Sequence, residues 1–350
     1  MKYTIKLLVV LVVQFSFAQT TTEKIDAIVQ KYHAENQEVG ISVGFIHQNQ
    51  EYYTAYGNIS RKSTIAINKN SVFELGSITK IITSNLIAQA VLEGKLQLDH
   101  FIDDYLPKTY ILQPKLKNTI TISDLATHQS GLPDIDFAKL IADNPQQPTS
   151  IVTKEAVATL VNNAVALEDY GTYRYSTLGY TLLGQILEQV YGTSYDAVLK
   201  EKVISPMQLA GTFTKNFSTA YKTAAYNSEG GLQEFFKWNI VASAGLVKSN
   251  ASDMVAYLKA ILNEGNTIYD AAVLSEKIYY AKEGRELGLG LGIIKDSGNI
   301  LYLKSGDTMG QSTMLCYNRD KKWGIVILLN QRNSKLRGDL LNEIYETVLQ

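Results

Sequence analysis

The order of elements restricts this chain most: patterns that read as strands stand at both ends, around a long stretch that reads as helix. Gly40–His47 (GISVGFIH) and Glu51–Gly57 (EYYTAYG) are strand-like, and the polar turn Gln48-Asn49-Gln50 joins them. Strand patterns return at Ile300–Lys304, Ser312–Tyr317 and Trp323–Asn330, with the turn Asn318–Lys321 between the last two. From about 77 to 265 helical patterns dominate, cut by loops such as Ser130-Gly131-Leu132-Pro133 and Asn144–Pro148. Ile25, Ile28, Val29 and Tyr32 fit a first helix, and Leu336–Leu349 closes the chain as another, with Leu340, Leu341, Ile344, Tyr345 and Val348 on one face. Strands from the two ends predict one antiparallel sheet in an α+β arrangement. The sheet part covers about 23–76 and 241–350, and an inserted helical part covers about 77–240. A cleft between the two parts is the expected site. With 350 residues, 45% hydrophobic and 19% charged, the chain has enough apolar material for such a core.

Several classes of function fall away. A formal charge of −1 gives no global reason to expect a nucleic-acid partner. Cys316 is the single cysteine, which excludes an intramolecular disulfide and a Cys-rich metal site, and the four histidines (His33, His47, His100, His128) show no HExxH spacing. A metal centre built from cysteines or histidines is therefore not expected. Residues 1–18 read as a secretory signal: Lys2 and Lys6 open it, Leu7–Phe17 is its apolar stretch, and Ser16-Phe17-Ala18 offers a cleavage site before Gln19. That apolar stretch is short for a bilayer and nothing later is longer, so no stable membrane span is expected. The mature chain, 19–350, is read as a secreted or periplasmic monomer with a formal charge of −3 once the two lysines leave.

Three short segments carry chemistry. Phe73-Glu74-Leu75-Gly76-Ser77-Ile78-Thr79-Lys80 opens a helix read as Ile78–Glu93, with Gly94 as its stop. Ser77 then sits at a helix N-terminus and Lys80 one turn further on the same face. A serine hydroxyl is a weak nucleophile until a neighbouring base takes its proton, and a lysine is such a base when burial and nearby cations lower its pKa. A bare Ser-x-x-Lys match is weak, since Ser77 as a plain helix cap and Lys80 as a solvated charge explain it equally well. Tyr173-Arg174-Tyr175-Ser176-Thr177-Leu178-Gly179-Tyr180 leads into a second apolar helix, where a phenol at the junction projects into a cleft or closes the loop. Lys304-Ser305-Gly306-Asp307 ends a strand, with Gly306 allowing close approach and Lys304 supplying charge; an ordinary strand exit is the plain alternative.

In that order the three segments resemble those of the penicillin-recognising serine hydrolases, in particular the class C β-lactamases and their DD-peptidase and esterase relatives. The resemblance extends through Gly94–Asp99 (GKLQLD), Ile122–Pro133 (ISDLATHQSGLP), Tyr175–Gly184 (YSTLGYTLLG), Ala244–Leu258 (AGLVKSNASDMVAYL), Gly288–Gly292 (GLGLG) and Trp323–Asn330 (WGIVILLN), from about 25 to 350. It implies a β-lactamase/DD-peptidase-like fold: an antiparallel sheet flanked by helices from both chain ends, with an inserted all-helical subdomain. It implies that Ser77 forms an acyl-enzyme, that Lys80 and Tyr175 share the proton traffic, and that Lys304 holds the electrostatics and attracts a substrate carboxylate. The backbone N–H groups of Ser77 and Asp307 would form the oxyanion hole, and Thr177, Ser305, Gly306 and Asp307 would line the substrate. The substrate would be a β-lactam, or a D-amino-acid peptide or ester, with no metal or cofactor needed.

Two departures stand out. Thr177 replaces the family's usual Asn, which removes an amide that would meet the acyl side of the substrate. Asp307 is expected to set a carboxylate beside Lys304, leaving Arg332 or Arg337 to bind a substrate carboxylate instead. β-Lactam hydrolysis is the first reading. A DD-carboxypeptidase or penicillin-binding protein, an esterase or D-aminopeptidase, and a non-catalytic binder of peptidoglycan are the alternatives.

Overall fold

The computed structural model describes residues 21–215 and 217–350, so the secretory signal expected over 1–18 lies outside the described residues. The main sheet has eight antiparallel strands, numbered here in chain order: β1 (Ile41–His47), β2 (Gln50–Tyr56), β3 (Tyr280–Lys282), β4 (Arg285–Leu287), β5 (Gly292–Asp296), β6 (Asn299–Asp307), β7 (Ser312–Asn318) and β8 (Trp323–Leu329). In space they run β2-β1-β8-β7-β6-β5-β4-β3. The N-terminal hairpin thus joins the C-terminal strands through β1 and β8, whose register pairs Ile41 with Leu329 and His47 with Trp323. Gln48 and Asn49, both at positive φ, make the two-residue turn of that hairpin, and Gln50 already belongs to β2.

Burial follows the sequence pattern. All seven residues of β8 (WGIVILL) are buried because both faces of the sheet are covered. Ile325, Ile327 and Leu329 face the terminal helices (21–35 and Ser334–Ile344) together with Val29, Leu336 and Leu340. Val326 and Leu328 face the other way, into the larger core shared with the helical middle of the chain. On that side the helix Ala251–Leu262 lies so close to the sheet that a Cβ on Gly44 would fall 2.6 Å from the Val255 side chain.

The helix Thr79–Leu92 runs through the centre and is buried on every side from Thr79 to Ala90. Its polar residues are paired rather than exposed. Thr83 bonds Tyr195 and the Ser243 carbonyl, Ser84 bonds Tyr180, and Asn85 donates to the Ile268 carbonyl. Just before it, Gly76–Ile78 forms a single tight turn, and Phe73–Glu74 pairs with Lys248–Ser249. The strand β6 matters most for the site. Pairing with β5 ends at Leu303, whereas pairing with β7 continues to Asp307, so the edge of Lys304–Asp307 on the β5 side is open.

Candidate active site

Ser77 lies in the tight turn Gly76–Ile78, where the chain leaves a two-residue strand and enters the central helix. Gly76 has φ +52°, and a Cβ there would meet the Asp307 backbone N at 2.9 Å. A Cβ on Gly306 would fall 2.1 Å from the Leu75 carbonyl and 3.0 Å from the Ser77 backbone N. The two glycines therefore let the segments 76–77 and 306–307 nest together, with the backbone N–H groups of Ser77 and Asp307 brought close.

The three chemical side chains singled out from sequence converge. Ser77 Oγ is 2.5 Å from the phenol oxygen of Tyr175, and Lys80 Nζ donates to Ser77 Oγ at 3.3 Å. Lys80 also donates to the Ala244 carbonyl at 2.6 Å, a contact with no signal in the sequence. Its ammonium stands over two rings, 4.9 Å from the centre of Tyr175 and 5.3 Å from that of Tyr180. Burial lowers the Lys80 pKa to about 7, against a smaller upward pull from Asp134. Lys304 also stands over the Tyr175 ring, its Nζ 5.0 Å from the ring centre, so two lysines lie within about 5 Å of the centre of that ring. Burial brings Lys304 down to about 8; Tyr175 raises it and Lys80 lowers it. Tyr175 itself is 41% exposed, whereas Lys80 is 1% exposed: the phenol reaches solvent and the amine is enclosed beneath it.

The segment bearing Tyr175 is held from two sides. Ser176 caps the helix Thr177–Tyr191. Asp134, which sequence reasoning did not single out, accepts bonds from the Ser176 hydroxyl and from the N–H groups of Thr177 and Leu178. Such a carboxylate beneath a helix N-terminus matches the helix dipole. Its position directly after the Gly131-Leu132-Pro133 loop is the only sequence signal for it. On the other side of the segment is buried His128.

The remaining expected residues are distributed as follows. Thr177 is buried at the helix start, and its carbonyl accepts from Thr181. Ser305 and Gly306 lie in β6 opposite Met314 and Thr313. Asp307 does not stand against Lys304. Its carboxylate takes bonds from Arg337 at 2.8 Å and Ser312 at 2.5 Å, because residues three apart on a strand face opposite sides. Arg337 is buried and also donates to the Gly306 carbonyl, so it is not a free guanidinium awaiting a substrate carboxylate. The backbone N–H of Arg332 donates to the Tyr226 carbonyl. Among the described residues no three His, Cys, Asp or Glu side chains gather as a metal site, and no helix is long and apolar enough to cross a membrane.

A family model described as Beta-lactamase matches residues 25–348. Among curated proteins, the chain is 26% identical to penicillin-binding protein 4 of Amycolatopsis lactamdurans, over 72% of this chain and 66% of that protein. It is 24% identical to a β-lactamase of Providencia stuartii, over 68% of this chain and 59% of that protein. The chain thus spans about three fifths to two thirds of the length of these relatives. Among solved structures, a class C β-lactamase superposes with a TM-score of 0.83 at 19% identity, covering 94% of this chain and 96% of that one, which shows the same fold.

Proposed function

This chain belongs to the β-lactamase family, and we propose that it is a serine hydrolase that forms an acyl-enzyme on Ser77, with a β-lactam ring amide as the first substrate class to test. The observation supporting this is one hydroxyl held by a phenol at 2.5 Å and by a buried amine at 3.3 Å whose pKa lies near 7. An amine in that range is partly neutral at physiological pH and accepts a proton. In acylation Ser77 Oγ attacks the carbonyl carbon while its proton passes to Lys80 or Tyr175. The negative charge on the carbonyl oxygen is met by the backbone N–H groups of Ser77 and Asp307, each such donor contributing about 3 kcal/mol to the transition state. Collapse of this intermediate breaks the C–N bond, and the stored proton goes to the leaving nitrogen. Water then attacks the ester, gives its proton to the same pair, and Ser77 leaves as the alcohol. Lys304, whose Nζ lies 5.0 Å from the centre of the Tyr175 ring, supplies positive potential for the anionic steps. By the same reading, residues 1–18 are removed on export and the mature enzyme works outside the cytoplasm.

One observation favours a second reading, ester or D-amino-acid amide hydrolysis. Arg337 is spent on Asp307 and Gly306, and Thr177 offers no amide to the acyl side. A chromogenic cephalosporin, a fluorescent penicillin and a p-nitrophenyl ester separate the readings. Rapid cephalosporin turnover supports a β-lactamase, and a long-lived fluorescent adduct supports a penicillin-binding protein. Ester cleavage alone supports the esterase. Ser77→Ala is expected to abolish all three signals in a folded protein; an adduct that survives this change removes the assignment.

A further inference from the structure

His128 is a buried histidine with an unusual position. Its φ is +63°, a left-handed conformation disfavoured for any residue with a Cβ. That conformation turns its carbonyl and its ring toward one segment. The carbonyl accepts from the Arg174 N–H at 2.7 Å, and Nδ1 accepts from the Ser176 N–H at 3.1 Å. With Nδ1 as acceptor, the proton of the neutral ring is on Nε2, and Nε2 is buried without a hydrogen-bond partner. An orphaned buried donor is a cost that a phenylalanine would avoid, so packing alone does not account for histidine here. The ring lies 4.5 Å, centre to centre, from Tyr175, with Tyr180 at 5.3 Å and Tyr173, nearly perpendicular to it, at 5.8 Å. Burial and the nearby Lys304 and Lys80 hold it neutral, well below the ordinary histidine range.

We propose that His128 is a positioning residue for Tyr175: its carbonyl and Nδ1 tie down the peptide N–H groups on both sides of Tyr175, and its ring backs the phenol that meets Ser77. This rests on the acyl-enzyme reading of Ser77 and Tyr175. The clamp removes the rotational freedom of the 174–176 peptides, so the phenol oxygen stays within hydrogen-bond reach of Ser77 Oγ before substrate arrives. Its loss lowers the acylation rate and leaves substrate affinity largely alone.

The test compares two variants that divide the roles of the ring. His128→Asn keeps an acceptor for the Ser176 N–H and gives up the ring; His128→Phe keeps the ring and gives up the acceptor. The rate of Ser77 labelling by a fluorophosphonate and kcat and KM for a p-nitrophenyl ester are measured below the unfolding midpoint of each protein. Positioning predicts a fall of about tenfold or more in labelling rate and kcat for the Phe variant, a smaller fall for Asn, and KM changed less than kcat. A filler role predicts the reverse order, Phe better than Asn, and that result overturns the proposal. If the Phe variant does not fold, His128→Gln against His128→Met makes the same comparison of acceptor with no acceptor. If wild type takes no label at Ser77, the acyl-enzyme reading fails first and this inference with it; if Ser77 is labelled but Tyr175→Phe keeps the full rate, the inference alone is overturned. A normal wild type with equal rates in both His128 variants removes the inference alone.

Discussion

The pH dependence of acylation is the sharpest consequence of the geometry around Lys80. The amine is 1% exposed, and burial brings its pKa from 10.5 to about 7. If Lys80 is the base that takes the Ser77 proton, only its neutral form does so. At a pKa near 7 roughly one tenth of it is neutral at pH 6 and roughly nine tenths at pH 8. The rate constant for Ser77 labelling is therefore expected to rise about tenfold per pH unit below 7 and to level off above it, with a shallower decline as Lys304 loses its charge near 8. Stability moves with the same proton. The unfolded chain holds a lysine proton up to about 10.5 that the native state has already released, so native stability rises with pH between about 7 and 10.5. A shift of this size corresponds to something on the order of 5 kcal/mol. Lys80→Met, which removes the buried charge, is thus expected to be more stable than wild type near pH 6, with an advantage that shrinks as pH rises. Stopped-flow labelling from pH 5.5 to 9 and urea titrations at pH 6, 8 and 10 read both effects. A labelling profile that is flat from pH 6 to 9, or that turns only near 10.5, refutes the reasoning, as does a stability difference independent of pH.

Two further outcomes follow from contacts at the same site. Gly306→Ala places a Cβ 2.1 Å from the Leu75 carbonyl and 3.0 Å from the Ser77 N, so β6 must move away from the turn; kcat for ester hydrolysis is expected to drop about a hundredfold, the effect of a lost oxyanion donor, and an unchanged kcat contradicts the nested geometry. Asp134→Asn replaces an acceptor of three hydrogen bonds and removes the charge that holds the Lys80 pKa up; urea denaturation is expected to show a loss of about 2 kcal/mol, and the acid limb of the labelling profile moves to lower pH.

The broad plan of the fold was legible because strand and helix periods differ and because the apolar runs of β1 and β8 admit few other placements. Ser77, Lys80, Tyr175 and Lys304 were legible as types in an order, and their mutual distances belong to the structure. The parts of the site that escaped share one cause: they act through the backbone. The Ala244 carbonyl that holds Lys80 has no side chain to advertise it. Asp134 works by accepting N–H groups from a helix 43 and 44 residues away, and His128 by bracketing a peptide. Asp307 misled because a strand position was read for its charge and not for its face. The β3–β4 hairpin escaped because three-residue strands carry too little alternation to register.

The exposed edge of β6 has a consequence of its own. Sheets usually blunt an unpaired edge, since a row of free N–H and C=O groups recruits strands from other molecules. Here the row is only Lys304–Asp307, and it abuts the turn that holds Ser77. A foreign strand finds too few rungs for a lasting ladder, whereas a single extended amide needs only one or two. On the reading proposed above, a feature that elsewhere invites aggregation would, by being short and set against the Ser77 turn, act as a ruler for which bond of a visiting molecule reaches the hydroxyl.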